Sequence, residues 1–457
     1  MTQKQIIMKK ILVLAISLTL LISCKKEASQ AVSTSQDIAT YSDSIPENAV
    51  IYEVNIRQYS PSGTFNAFTK DIPKLKEMGV KILWLMPIHP IGVKNRKEGL
   101  GSYYSVKDYR GINPEFGNLD DYKNLVKTAH QNGMYVIMDW VPNHTAWDHA
   151  WVTEHPEYYA KDKDEKMISP FDWTDVVKLD YSNQNLRRAM VDEMKYWLTD
   201  ANVDGFRCDV AGEVPTDFWD WASIELKKTK PVFMLAEAEK PELSKKAFDM
   251  AYGWEEHHIM NEIAQGKKTV KDFDVYMTKR DSVWQKDDIS LYFTSNHDEN
   301  SWNGTEYERL GDAVETFAAL TYVIPGMPLI YNGQEYDFNR RLKFFVKDSL
   351  TTTKGKMFPI YVKLGQLKNG NPALNGGKKS ASYKRIATSS DQNVLAFERE
   401  KQGKKVLFVG NLTKANQTFS ATIEGTFTDF MSGAKITFTK NQTLNFKPWE
   451  YKILLAD

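Results

Sequence analysis

The chain reads as an α/β protein built on a (β/α)₈ TIM barrel, with a short subdomain inserted after the third strand and a C-terminal antiparallel β-sandwich. Three features predict this. Eight short apolar runs alternate with amphipathic stretches over residues 45–375, and four of these runs close on polar or charged residues. Beyond Asn375-Gly376-Gly377 the helical periodicity stops, and short alternating runs separated by turn residues take over through 376–457. A doubly wound open sheet is the competing fold, but no glycine-rich phosphate turn follows the first run.

At 457 residues and 42% apolar content the chain can bury a large core. Lys+Arg and Asp+Glu are both 59, so it lacks the basic footprint of a nucleic-acid binder. Lys9-Lys10 precede an apolar run from Ile11 to Ile22, too short for a stable membrane span, and Ser23-Cys24 follow. Leu21-Ile22-Ser23-Cys24 resembles a bacterial lipobox. That resemblance implies a signal peptide over 1–23, lipidation of Cys24, and an exported membrane lipoprotein on the periplasmic or cell-surface face. An ordinary secretory peptide or an uncleaved anchor is the alternative, and Met8 is a second candidate start. Residues 24–44, rich in Ser, Ala, Gln and Thr, have the composition of a flexible tether. Removing 1–23 takes three lysines and no acid from the 59 of each sign, leaving a net charge of about −3.

The elements follow in order. Val50–Ile56 is strand-like, and Phe65, Phe68, Ile72 and Leu75 recur at helical spacing. Val80–Met86 is nearly continuously apolar, as buried parallel strands are. Asn118, with Asp121 three residues on, is a capping pair opening a helix that runs to Asn132-Gly133. Strands are then expected at Tyr135–Asp139, Gly205–Asp209, Val232–Glu237, Asp249–Ala251, Ile289–Ser295 and Pro328–Tyr331. Residues 144–182 are too long for a simple loop and rich in Trp, Tyr, His and charge, which marks an inserted subdomain. In the tail, Val394–Phe397, Val406–Val409, Phe419-Ala421-Ile423, Leu444–Phe446 and Tyr451-Ile453-Leu455 read as strands.

In a barrel of this kind the site lies at the carboxyl ends of the strands. The third run closes on Asp139-Trp140-Val141-Pro142-Asn143-His144, the fourth on Arg207-Cys208-Asp209, the fifth on Glu237 and the seventh on Asn296-His297-Asp298. Asp209, Glu237 and Asp298 would thus meet in one pocket flanked by His144, Arg207 and His297. Like charges gathered this way repel and shift one another's pKa, a cost that favours a functional explanation. Arg207 and Asp209 share a strand face, so the guanidinium is expected to keep Asp209 ionised. Cys208, on the opposite face, reads as a small buried apolar residue, and with only one other cysteine, Cys24, no intramolecular disulfide is expected.

Asp139-x-x-x-Asn143-His144, Gly205-x-Arg207-x-Asp209, Glu237 and Phe293-x-x-Asn296-His297-Asp298, in that order, resemble the motifs of the α-amylase family of glycoside hydrolases. Gly326–Glu335 resembles the strand-eight motif of the same family. The resemblance implies Asp209 as nucleophile, Glu237 as general acid/base, with Glu239 its rival, and Asp298 as stabiliser of the charged transition state. It implies substrate-binding roles for His144, Arg207, His297 and Tyr104, with Tyr103 the alternative if the register slips by one. The implied activity is retaining cleavage of α-glucosidic, mainly α-1,4, bonds in starch-derived glucans, malto-oligosaccharides or cyclodextrins. A transglycosylase of the same family and a non-catalytic glycan-binding lipoprotein are the alternatives. Trp147, Trp151, Trp173, Trp254 and Trp302 are candidates for outer sugar contacts or for packing.

Two departures from the family pattern stand out. Gly212 and Glu213 occupy the places of a Lys-His pair that binds sugar beyond the cut, so the acceptor side is altered. Lys178 occupies a position that supplies a calcium ligand in calcium-dependent members, and an ammonium there excludes a divalent cation. No metal and no other cofactor is therefore expected. The expected partners are a glucan substrate and, through the N-terminal lipid, a membrane.

Overall fold

The structure is a computed structural model that describes residues 41–440 and 442–456. The expected signal peptide, Cys24 and most of the tether lie outside the described residues. Among those described, no helix is long and apolar enough to cross a membrane.

The barrel strands are β1 (Val50–Val54), β2 (Val80–Leu85), β3 (Tyr135–Trp140), β4 (Gly205–Cys208), β5 (Phe233–Ala236), β6 (Met250–Tyr252), β7 (Ile289–Phe293) and β8 (Met327–Tyr331). They close in chain order, with β8 paired in parallel to β1. Each falls within two residues of its expected place, because runs buried on both faces carry an unmistakable apolar signal. The period of two sorts their side chains. Ile51, Ile82, Ile137, Leu235, Leu291 and Leu329 fill the barrel interior, while Tyr52, Leu83, Val136, Phe206 and Cys208 pack outward under the helices. In β1 and β4 the interior-facing places near the strand ends fall to Glu53 and Arg207, both fully buried.

The helix Leu119–Gln131 opens with the expected cap: Asp121 N–H donates to Asn118 Oδ1 at 3.0 Å, and Asn118 N–H donates to Asp121 Oδ2 at 3.1 Å. Such a cap contributes about 1 kcal/mol. The helical spacing after β1 resolves into two short helices, Phe65–Thr69 and Ile72–Glu77, separated at Lys70-Asp71 just before Pro73. The inserted segment forms a two-stranded antiparallel ladder, His144–Ala146 with Val176–Lys178, in which His144 pairs with Lys178.

The tail is a six-stranded antiparallel sheet in the order Lys384–Arg385, Val394–Lys401, Lys404–Asn411, Tyr451–Ala456, Gly425–Asp429, Lys435–Phe438. A second ladder, Gln417–Ser420 with Thr443–Phe446, packs on one face through Phe419 and Phe446 against Ala396, Leu407 and Leu454. The opposite face, including Phe397 and Phe408, joins the core that also contains the barrel helices. Three of these strands, Lys384–Arg385, Gly425–Asp429 and Lys435–Phe438, are absent from the sequence expectation. Lys384–Arg385 is only two residues long, and in the other two the alternation rests on Phe427 and on Ile436 and Phe438 within short, mostly polar stretches, a weaker signal than the longer apolar runs.

Candidate active site

Arg207 is the hub of the pocket floor. Its Nη1 donates to Asp139 Oδ1 at 2.9 Å and to Asp209 Oδ1 at 3.0 Å, its Nη2 lies 2.7 Å from Glu237 Oε1, and its Nε donates to Tyr252 Oη at 3.3 Å. The guanidinium also stacks 4.9 Å from the Trp84 ring. One planar fork therefore binds three carboxylates drawn from β3, the end of β4 and the end of β5.

Asp209 follows β4 directly, and its N–H extends the ladder to the Trp140 carbonyl at 2.8 Å. The next residue, Val210, adopts a left-handed backbone with φ of 39°, an uncommon state for a β-branched residue. That turn aims Val210 N–H at Glu237 Oε2, 2.7 Å away. The strained position thus ties the proposed nucleophile's segment to the proposed acid.

The expectation that Arg207 keeps Asp209 ionised is corrected. Burial, and then the neighbouring Glu237, raise Asp209 well above the ordinary aspartate range against the pull of Arg207. Burial is the larger effect, and the guanidinium that opposes it is divided among three acids. Asp139, fully buried, is likewise raised by burial to about 6 despite Arg207 and His297. These buried carboxylates crowd one guanidinium, so their protonations are coupled to one another.

His297 sits between Glu53 Oε1, 2.5 Å from its Nδ1, and the Tyr104 hydroxyl, 2.8 Å from its Nε2, with Asp298 Oδ2 at 3.4 Å. Burial alone would lower this ring, but the Asp298 and Glu53 carboxylates outweigh it and raise it to about 9. His297 is therefore a buried imidazolium at neutral pH. His144 behaves oppositely. Burial holds it down to about 4. Its Nε2 faces the Tyr104 carbonyl at 3.1 Å, so that nitrogen carries the hydrogen, and Nδ1 accepts from Asn143 Nδ2 at 3.2 Å.

Tyr104, not Tyr103, belongs to the pocket. Its ring stacks near His297 at 5.5 Å and 23°, and its hydroxyl donates to Asp139 Oδ2 at 3.0 Å. Tyr103 is buried behind it under Arg57. Glu237 lines the cavity, whereas Glu239 turns away to accept the Glu255 N–H at 2.7 Å. The cavity, about 580 Å³, brings together Tyr104, His144, Asp209, Glu237, His297 and Asp298, with Arg207 just beneath. Of the five tryptophans, Trp173 and Trp302 reach it. Trp147 bonds to the Thr174 carbonyl, Trp151 packs on Tyr109 and Trp254 stacks on Tyr252.

Sequence reasoning missed Glu53. Its signal was an acid in the middle of an apolar run, Val50–Val54, on the interior face. Lys97, Asp175, Phe344 and Phe345, which also line the cavity, come from loops whose approach no local pattern announces.

Fold and site together define a (β/α)₈-barrel protein with a carboxylate-lined pocket at the carboxyl ends of its strands. A family profile described as "Alpha amylase, catalytic domain" matches residues 35–176 and 170–258. The chain is 30% identical to the solved α-amylase from Lactobacillus plantarum, covering 90% of this chain and 99% of that one at a TM-score of 0.82. It is 29% identical to the noncanonic maltogenic α-amylase AmyB from Thermotoga neapolitana, with the same coverage and a TM-score of 0.83. This chain belongs to the α-amylase family. Among curated relatives, it is 24% identical over 402 residues to α-amylase MalA of Haloarcula japonica, covering 85% of this chain. It is 27% identical over 389 residues to the α-1,4-glucan:maltose-1-phosphate maltosyltransferase of Picrophilus torridus, covering 78% of this chain. It spans 58% and 59% of the lengths of those two relatives.

Proposed function

We propose that the protein is a retaining glycoside hydrolase that cleaves α-glucosidic, mainly α-1,4, bonds in starch-derived glucans, malto-oligosaccharides or cyclodextrins. The observation that carries this is Arg207 holding Asp209 and Glu237 on one fork at the floor of a cavity that Asp298 and His297 also line. Retention needs two carboxyls about 5–5.5 Å apart, one to attack and one to protonate the departing oxygen, and a shared guanidinium favours that short separation.

In the proposed reaction the Asp209 carboxylate attacks the anomeric carbon while Glu237 gives its proton to the leaving oxygen. Glu237 then removes a proton from water as the glycosyl–Asp209 ester is hydrolysed. The step needs the Asp209 carboxylate ionised and the transferable proton on Glu237, an arrangement for which the shared Arg207 fork holds the two groups together. Asp298 faces the positive charge that develops on the ring. Tyr104 offers an aromatic face to the sugar, and its hydroxyl is positioned by Asp139 and the His297 imidazolium. Wild type is expected to hydrolyse a nitrophenyl malto-oligoside, and Asp209→Asn to lose about 10³-fold or more of that rate. Equal activity of the two would refute the assignment.

The similarity to a maltosyltransferase supports a second outcome for the same intermediate, delivery to a sugar instead of water. Elongated products on adding maltose would reveal it. We also propose that no calcium is needed: Lys178 lies across the ladder from His144 at the base of the insertion, and its ammonium opposes a divalent cation there. For the N-terminal segment the proposal remains a lipid anchor at Cys24, for which Cys24→Ala should release the protein from the membrane fraction.

A further inference from the structure

Four loops around the pocket mouth are joined into an arc. Lys97, after β2, pairs with Asp175 of the insertion after β3 at 3.4 Å. Leu100 N–H, from the same β2 loop, donates to the carbonyl of Phe345, after β8, at 2.7 Å. Phe345 in turn meets the Trp302 ring, after β7, at 5.9 Å between centroids. Lys97, Asp175, Phe345 and Trp302 all line the cavity. The Asp175 side chain is only 6% exposed, and the Lys97 ammonium is the cation it meets. Asn95 and Glu98, on either side of Lys97, adopt left-handed backbones with φ of 59° and 48°. The loop is thus bent so as to present that lysine.

The arc spans only part of the rim. In a closed ring of eight strands, β5 lies across the mouth from β1, whose neighbours are β2 and β8. Glu237, at the end of β5, therefore stands opposite the β8–β2 stretch of the arc. From the β4, β5 and β6 side the cavity is lined only by Asp209, Val210 and Glu237, which belong to its floor. An acid protonates the leaving oxygen, so the leaving part of a chain lies over Glu237 at the open side. The part that keeps the attacked anomeric carbon, which extends toward the chain's non-reducing end, points into the arc.

We infer that the Lys97–Asp175 pair is the keystone of a blind wall at the glycone end of the pocket, so that the enzyme acts from non-reducing chain ends and releases short products. The inference rests on the hydrolase reading above and adds direction and product length to it. Lys97 is a specificity-determining residue in this scheme.

Maltoheptaose labelled at its reducing end, with its non-reducing end either free or acetal-capped, tests the wall when products are separated by chromatography. Wild type is expected to cleave the free-ended substrate at least about tenfold faster than the capped one. Lys97→Ala should bring the two rates within about threefold of each other, and Lys97→Arg should preserve the wild-type ratio. Equal wild-type rates on the two substrates would overturn the blind wall. A wild-type preference unchanged in Lys97→Ala would overturn the role given to Lys97. No cleavage of either substrate would overturn the hydrolase reading and this inference with it.

Discussion

The two pocket histidines show how placement alone divides one residue type into two charge states. His144 is neutral because burial meets only a carbonyl and an amide. His297 is an imidazolium because Glu53 and Asp298 face it. Since the folded protein raises His297 from 6.5 to about 9, it binds that proton more tightly than the unfolded chain does. The resulting stability is fully present below pH 6.5 and is lost as the pH rises through about 9. The stability difference between wild type and His297→Asn in urea unfolding should therefore shrink over that interval. A difference that stays constant would show a neutral ring. Part of this was legible in the sequence: Arg207, Asp209 and His297 announce themselves at strand ends. The state of Asp209 was not, because a linear motif shows one Arg beside one Asp and hides the two further acids that share the guanidinium.

Among the elements, legibility followed burial. The eight barrel strands are buried on both faces and mostly apolar, and each is visible within two residues. Gly425–Asp429 and Lys435–Phe438 pair with each other and bury only Phe427 and Phe438 in the tail core, so their alternation is too short to stand out from the polar residues around it. The insertion illustrates both cases. Its aromatic richness marks it as a subdomain, while the contact of Asp175 with Lys97 arises from two loops 78 positions apart in the sequence. The same element carries the metal prediction. With Lys178 closing the strand Val176–Lys178 opposite His144, chelator treatment should leave both the hydrolysis rate and the thermal midpoint unchanged. A loss restored by calcium would show that Lys178 does not take the ion's place.

Across the whole molecule, the barrel converts eight separate strand ends into one rim, so residues as distant as Glu53 and His297 come within 2.5 Å. The tail sheet is built into the same core as the barrel helices. Buried Arg399 ties them further, with Nη1 donating to the Val323 carbonyl, Nη2 to that of Asn375 and Nε to that of Ser382. This leaves the pocket supported by the full ring, and the account's central claim is that its floor attacks sugar through Asp209. The most direct measurement is peptide mapping after incubation of the wild-type protein with an activated 5-fluoro-α-glycosyl fluoride, whose glycosyl–enzyme ester turns over slowly. A single glycosyl adduct on Asp209 is predicted. An adduct on another carboxylate, or hydrolysis that releases the inverted β-anomer first, would contradict it.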